Sequence, residues 1–392
     1  MNPNRRLRLM LLYLLLFFAG VGTLNWLVNP YRAWNSTLVD DIYLSGMDRT
    51  WTPYRLRTAQ PTTVLVGSSR VMLGMPVEQG YRDGVVNAGL SGATIEEVAT
   101  AVRLAAKGGR LQRVIWGMDF YAFGERFVGF HDPQTRQRLE GNLGMLVTET
   151  LVSQQALADT IAALKRVGRG RKRLPPTWLL PVPWPEELIH TVLDDERARW
   201  DARAHEQRVR DHLSEWVSMY ALHRHSAQQV TLFRDTVARI AQSGVDLILF
   251  VPPLHEYELE AIRQTGQWEA FQQWKREMAA IRPYWDFSGY DELARQDYLY
   301  ADGVHFKPAL GEVILRHLLG QGCRRCGEAA HRVVDAAVWV DVTIVDDHLA
   351  RQDAARQART QEASPYAAMV KELVARLPMR VASRQAETSR AD

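Results

Sequence analysis

Val64-Leu65-Val66-Gly67-Ser68-Ser69-Arg70 is the stretch that decides the fold. Thr63 to Val66 is a β-branched and apolar run, the pattern of a strand buried on both faces. It ends in a small, hydroxyl-rich turn. The sequence on either side of it continues the theme. Gly84 to Asn87 reads as a short second strand, Arg113 to Trp116 as a third, and Val245 to Val251 as the clearest buried strand in the chain. Trp285 to Phe287 adds a brief one. Helices alternate with them. Thr94 to Lys107 opens on a capping box, Thr94 with Glu97, and stops at Gly108-Gly109. Gln229 to Gln242 stops at Gly244; Glu256 to Ile281 and Pro308 to Leu319 follow. The alternation predicts an α/β fold, a three-layer α/β/α sandwich around a mainly parallel sheet. In such sheets the site lies beyond the carboxyl ends of the strands. Ser69, Gly92, Asp119 and His255 all follow predicted strands.

A serine hydroxyl is a poor nucleophile unless a histidine takes its proton and a carboxylate orients that histidine. Asp302-Gly303-Val304-His305 supplies both partners in one loop, directly before the closing helix. The expected catalytic set is Ser69, His305 and Asp302, which points to attack on an ester or another acyl group. An oxyanion formed there needs preorganised donors, and the backbone amides of Ser69 and Gly92 are the candidates. Arg70 and His255 are placed as substrate-binding residues, although a core or surface position for His255 fits its context equally well. His223-Arg224-His225 offers two imidazoles but no third ligand close by, so no metal is expected. Trp268, Phe271 and Trp274 recur at helical spacing and read as packing. No cofactor is implied.

From about Gly124 to Gln228 the strand–helix alternation lapses, and this region reads as a helical insertion that caps the core. Leu146 to Val167 looks helical, as does Pro185 to Tyr220. Between them lie Arg169, Arg171, Lys172 and Arg173 and a proline-rich run, either a solvated loop or a grip for an anionic polymer. Val338 to Val345 reads as an edge strand or accessory element. From Arg351 the tail is Gln, Ala and Arg rich, with a weak helix at best. The expected division is an anchor at 1–30, a connector at 31–60, the core domain at 61–332, and a partly disordered C-terminal extension at 333–392.

Leu9 to Val28 is an apolar run of about 20 residues, enough to cross a bilayer as a helix. Arg5, Arg6 and Arg8 precede it, which puts the N-terminus in the cytoplasm and the bulk of the chain outside. The run is long for a signal peptide, and Leu24-Asn25-Trp26-Leu27 is a poor cleavage site. An uncleaved anchor in the cytoplasmic membrane is expected. The 392 residues carry a formal net charge of +3, too small a surplus to argue for nucleic acid. The two cysteines, Cys323 and Cys326, form a C-x-x-C without a second pair for zinc. In an oxidising compartment a local disulfide clipping a loop is the better reading.

Four short blocks together resemble the SGNH (GDSL-type) hydrolases. Gly67-Ser68-Ser69-Arg70 is similar to their first block, with Ser68 in place of the usual Asp. Asn87-Ala88-Gly89-Leu90-Ser91-Gly92 resembles the second, with Gly92 as the oxyanion glycine. Gly117-Met118-Asp119-Phe120 aligns with the third, and Asp302-Gly303-Val304-His305 with the fifth. The resemblance implies a flavodoxin-like sheet and a serine esterase or acyltransferase. It spans about Thr63 to Leu319, interrupted by the insertion. Asp119 stands where the family has an oxyanion-binding Asn. An ionised Asp can only accept, so either Asp119 is protonated, or another group donates to the oxyanion, or Asp119 has a structural role such as anchoring the loop. The anchor, the Gly-Ser-Ser variant and Asn29-Pro30 resemble the membrane-anchored branch that includes alginate acetylation proteins and the D-alanyl transfer protein of teichoic acid synthesis. That branch implies acyl transfer, O-acetyl foremost, on a cell-envelope polysaccharide or related glycan beside a multi-pass membrane acyltransferase. The rivals are a non-catalytic glycan-binding or assembly factor and a lipid or peptide hydrolase.

Overall fold

Strands β1 (Thr63–Val66), β2 (Val85–Asn87), β3 (Arg113–Gly117), β4 (Asp246–Val251), β5 (Tyr284–Asp286) and β6 (Val338–Val340) join in one sheet in the order β2-β1-β3-β4-β5-β6. In this computed structural model residues 3–30, 48–75, 84–131, 133–141, 143–168, 186–323, 325–360 and 364–377 are described. All neighbouring strands run parallel except β6, which pairs antiparallel with β5. The protein is mixed α/β and mostly helical. Alternate strand residues enter two different hydrophobic clusters. Val64, Val66, Val114, Trp116, Leu249 and Val251 belong to one, and Leu65, Ile115 and Phe250 to the other. This period of two is why β1, β3 and β4 read as nearly continuous apolar runs.

The chain leaves β1 for β2 on one side and returns to β3 on the other. The strand order therefore reverses between β1 and β3, the place where open parallel sheets form a crevice. The two strand ends come very close there. Gly67 has φ +148°, and a Cβ on it would sit 2.6 Å from Val71 Cγ2 and 2.8 Å from Gly117 O. Only glycine permits that approach.

The insertion is two caps rather than one. Helices Pro133–Glu140, Leu143–Leu151 and Gln154–Gly168 pack toward helix Asp48–Ala59 and the N-terminal helix Pro3–Val28. Helix Ala202–Ala221 packs on Glu256–Gln264 and Pro365–Ala375, and helix Glu186–Ala198 packs on Pro308–Leu318 and Glu328–Ala336. The basic run at 169–185 lies outside the described residues, as does the connector over 31–47. Expected single helices are broken in three places. The 185–220 helix stops at Ala198 and restarts with Asp201 as cap, its Oδ1 accepting from Arg203 N at 2.9 Å and Ala204 N at 3.0 Å. The 256–281 helix breaks at Thr265-Gly266-Gln267, and the 146–167 helix at Val152-Ser153.

From Arg351, where a weak helix at best is expected, the C-terminal extension is helical over most of its described residues. Over the described residues it is built into the core. After β6, helices Val345–Thr360 and Pro365–Ala375 bury Leu349, Met369 and Val370. His348 Nε2 meets Asp286 Oδ2 at 2.9 Å, and Lys275 Nζ donates to Gln352 Oε1 at 2.8 Å. Lys275 also pairs with Asp286 at 2.8 Å, both fully buried. Burial would raise the Asp286 carboxyl, but Lys275 and His348 outweigh it and hold the group well below the usual range. A polar tail composition hides this, because only a narrow stripe of each helix is buried.

Cys323 and Cys326 are disulfide-bonded with Cα atoms 5.2 Å apart, the loop clip expected from their spacing. The N-terminal helix is long and apolar enough to cross a membrane, and its membrane-length window is unburied.

Candidate active site

Ser69 is the first residue of a single helical segment, Ser69–Gly74, that starts as β1 ends. Ser68 caps it, its Oγ accepting from Arg70 N at 3.2 Å. Asn87, the last residue of β2, fixes the other end. Its Nδ2 donates to Val71 O at 2.8 Å and Met75 O at 2.9 Å, and its Oδ1 accepts from Gly89 N at 2.9 Å. One buried side chain thus engages a carbonyl of the segment, the carbonyl just past its end and the turn after β2.

His305 Nε2 lies 2.8 Å from Ser69 Oγ, across 236 residues of sequence. His305 Nδ1 lies 2.8 Å from Asp302 Oδ2. The other oxygen, Oδ1, accepts from the backbone N–H of Val304 and of His305, each at 2.8 Å. Asp302 therefore shapes its own loop with one oxygen and orients the imidazole with the other. Burial pushes its carboxyl up, but the His305 hydrogen bond and charge and the two amides prevail, so it is held well below the usual range. With Asp302 accepting at Nδ1–H, Nε2 keeps the lone pair that a Ser69 proton needs.

Donors for an oxyanion are near the same strand ends. The backbone N–H groups of Ser69 and Gly92 engage no backbone acceptor among the described residues. Gly92 has φ +59°, and the space a side chain would take there is open. Its loop is pinned from below: Ser91 N donates to Asp48 Oδ2 at 2.6 Å, and Arg49 donates to Ser91 O at 2.7 Å and to both oxygens of Glu97 at 2.9 Å.

Three expected site residues are not where chemistry could use them. Asp119 accepts from the Arg70 guanidinium. It is an acceptor in an ion pair and has no hydrogen to offer an oxyanion. Asp119 is held by Arg70, and its side chain makes no capping hydrogen bond to the turn at Phe120–Phe123. Arg70 is 1% exposed. Its guanidinium also pairs with both oxygens of Glu258, its Nε donates to Val304 O at 3.2 Å, and Trp216 covers it at 5.2 Å. At that burial the guanidinium is closed off from substrate. Burial depresses the Arg70 pKa, yet Glu258 and Asp119 carry it well above its usual value. Tyr220 donates its hydroxyl to Glu258 as well. Arg70 so ties the nucleophile turn, the end of β3, the helix after β4 and the Asp302–His305 loop to one point. Losing such a cation would strand two buried carboxylates, at about 3–5 kcal/mol.

His255 is fully buried and caps helix Glu256–Gln264, its Nδ1 accepting from Tyr257 N at 3.2 Å. Its proton then sits on Nε2, which faces Asp297 Oδ1 at 2.9 Å. His205, His255 and Asp297 bring ligand atoms within 4.8 Å of one another. The cap leaves His255 no lone pair toward that space, and Tyr366 donates to the second Asp297 oxygen at 2.5 Å. His255 and Asp297 are thus bonded to each other and to neighbours, whereas both ring nitrogens of the buried His205 have no hydrogen-bond partner among the described residues. His225 pairs with Glu277 at 2.8 Å, and His223 packs on Phe120. Trp268, Phe271 and Trp274 are buried packing residues.

Ser69, Asp302 and His305 come together; Arg70, Asp119 and His255 lie beneath or beside them. Sequence reasoning missed Glu258, Tyr220 and the clamp role of Asn87. A carboxylate three residues past the strand-end histidine was the available signal for Glu258. No protein-family model matches the chain, and no curated protein matches it.

Proposed function

We propose that this protein is an SGNH-like serine esterase or acyltransferase, with a three-layer α/β/α core, that moves or removes an acyl group, O-acetyl foremost, on a cell-envelope glycan. One observation carries the reading: Ser69 Oγ, His305 and Asp302 form a continuous hydrogen-bonded line at 2.8 Å per step. As Ser69 Oγ attacks the acyl carbonyl, its proton passes to His305 Nε2. Asp302 steadies the resulting imidazolium. The amides of Ser69 and Gly92 are the groups that would hold the oxyanion. When the tetrahedral intermediate collapses, His305 returns the proton to the leaving alcohol, and Ser69 holds the acyl group as an ester. Water or a sugar hydroxyl then attacks the Ser69 ester while giving its proton to His305, and as the ester bond breaks His305 returns that proton to Ser69 Oγ.

The apolar N-terminal helix and its preceding arginines support attachment to the cytoplasmic membrane with the folded part outside. The disulfide fits that compartment. A glycan acceptor and a multi-pass acyltransferase partner rest on the resemblance of the four sequence blocks and the anchor.

The test is labelling of the full-length protein in detergent with a fluorophosphonate probe. Wild type is expected to label and Ser69→Ala to stay at background, with turnover of p-nitrophenyl acetate lower by about 10⁴-fold or more. If wild type and Ser69→Ala are equally inert to the probe and to acetyl, longer acyl and glycan-acetate substrates, the binding or assembly role replaces this one.

A further inference from the structure

The N-terminal helix does not leave the folded domain at its last residue. Asn25 is fully buried, and its Nδ2 donates to Leu151 O at 2.7 Å. A Cβ on Gly22 would stand 3.6 Å from Val152 Cγ1. Leu151 and Val152 form the corner between helices Leu143–Leu151 and Gln154–Gly168, and both helices pack on the N-terminal one. Ser153 Oγ opens the second of them, accepting from Ala156 N at 2.9 Å.

Depth along the N-terminal helix follows from its rise. Arg8 and Trp26 bracket about 27 Å at 1.5 Å per residue, close to the hydrocarbon thickness of a bilayer. Trp26 is 51% exposed, as suits a residue of the headgroup layer. Gly22 then lies about 6 Å nearer the bilayer centre than Trp26. The helical corner touches the chain at that depth. The second helix exposes Gln154, Gln155 and Lys165, and with them two large apolar side chains. Ile161 and Leu164, on the second helix, are 42% and 40% exposed. The bond from Asn25 also satisfies a helix-end carbonyl, that of Leu151.

We infer that the corner Leu151-Val152-Ser153, with the Ile161 and Leu164 face of the helix behind it, dips into the outer leaflet of the bilayer as a second, non-spanning membrane contact. This rests on the membrane-crossing part of the proposed function and is independent of Ser69 chemistry. The ligand is the lipid surface itself. The corner reaches the acyl region beside the span, and the exposed leucine and isoleucine meet lipid there.

The test uses full-length protein in phosphatidylcholine–phosphatidylglycerol vesicles. Single cysteines replace Val152, Ile161, Leu16 and Asp235, each carrying an environment-sensitive fluorophore; Cys323 and Cys326 are already bonded to each other. Quenching is read with lipids bearing a shallow nitroxide. Labels at 152 and 161 are expected to be quenched several-fold more than the one at exposed position 235, and to emit further to the blue. A label at 152 quenched no more than 235, with 16 quenched by deep nitroxides, overturns the inference while leaving the span in place. Lack of quenching at 16 as well removes the span and the inference together. Should the 152 variant fail to assemble, the exposed 161 position decides by the same comparison.

Discussion

Ser69 and Arg70 are consecutive in the chain and live under opposite physics. Ser69 is half-exposed and its hydroxyl meets a single imidazole, whose proton can move. Arg70 is sealed beneath it, with its charge shared between Asp119 and Glu258 and its Nε on the loop that carries His305. The reacting groups keep freedom to exchange protons because the group directly under them has none. Function and stability are thus assigned to adjacent side chains, and substitution should separate them.

The largest effect is expected on the reactive side. Asp302→Asn keeps an acceptor for the loop amides but presents an amide to the imidazole, which favours the wrong tautomer. Turnover of p-nitrophenyl acetate should fall by roughly 10³–10⁴-fold, with a melting temperature close to wild type. A large fall in melting temperature would show that Asp302 belongs with the scaffold instead.

Arg70→Met tests the buried side. Urea unfolding should show a loss of about 3–5 kcal/mol, and adding Glu258→Gln should recover part of it. A loss under about 1 kcal/mol would mean the two carboxylates find other partners, and the contrast with Ser69 would dissolve.

His223 sharpens the comparison at a smaller scale. Burial first, then the neighbouring His225, pushes its pKa from the usual 6.5 to about 4. The unfolded chain therefore takes a proton on this residue before the folded one does. Stability should rise with pH between about 4 and 6.5, by at most on the order of 3 kcal/mol, and show no contribution from this group above that window. His223→Gln should flatten the slope over that interval. An unchanged slope would assign the pH dependence to other groups.

What could be read from sequence and what could not divides along the same line. Ser69 and the Asp302–His305 loop were legible because each is a local pattern at a strand or loop end. The buried β1, β3 and β4 were legible because both faces of those strands are covered. Arg70 misled because a lone arginine after a serine reads as a substrate contact. Its partner Glu258 lies 188 residues away, and nothing local pairs them. Asp119 sat at the expected place in the sheet, but its role depends on that same pairing. His255 was likewise at the right strand end, yet its ring turns inward to cap the next helix. The C-terminal helices were missed because their buried contacts include His348 and Gln352, residues that count as polar in any composition.

The pairing of β3 with β4 has a consequence for how the molecule is made. Arg113 and Asp246 stand opposite each other in register and are 133 residues apart. The edge of β3 that β4 will cover is therefore unpartnered until the whole helical insertion has emerged, and such an edge is a template for pairing with other chains. Nearby contacts form quickly, but a parallel pairing across a loop of that size is slow. The hazardous interval in the life of this protein is set by the length of the insertion, and shortening it should change the yield of folded chains before it changes anything at Ser69.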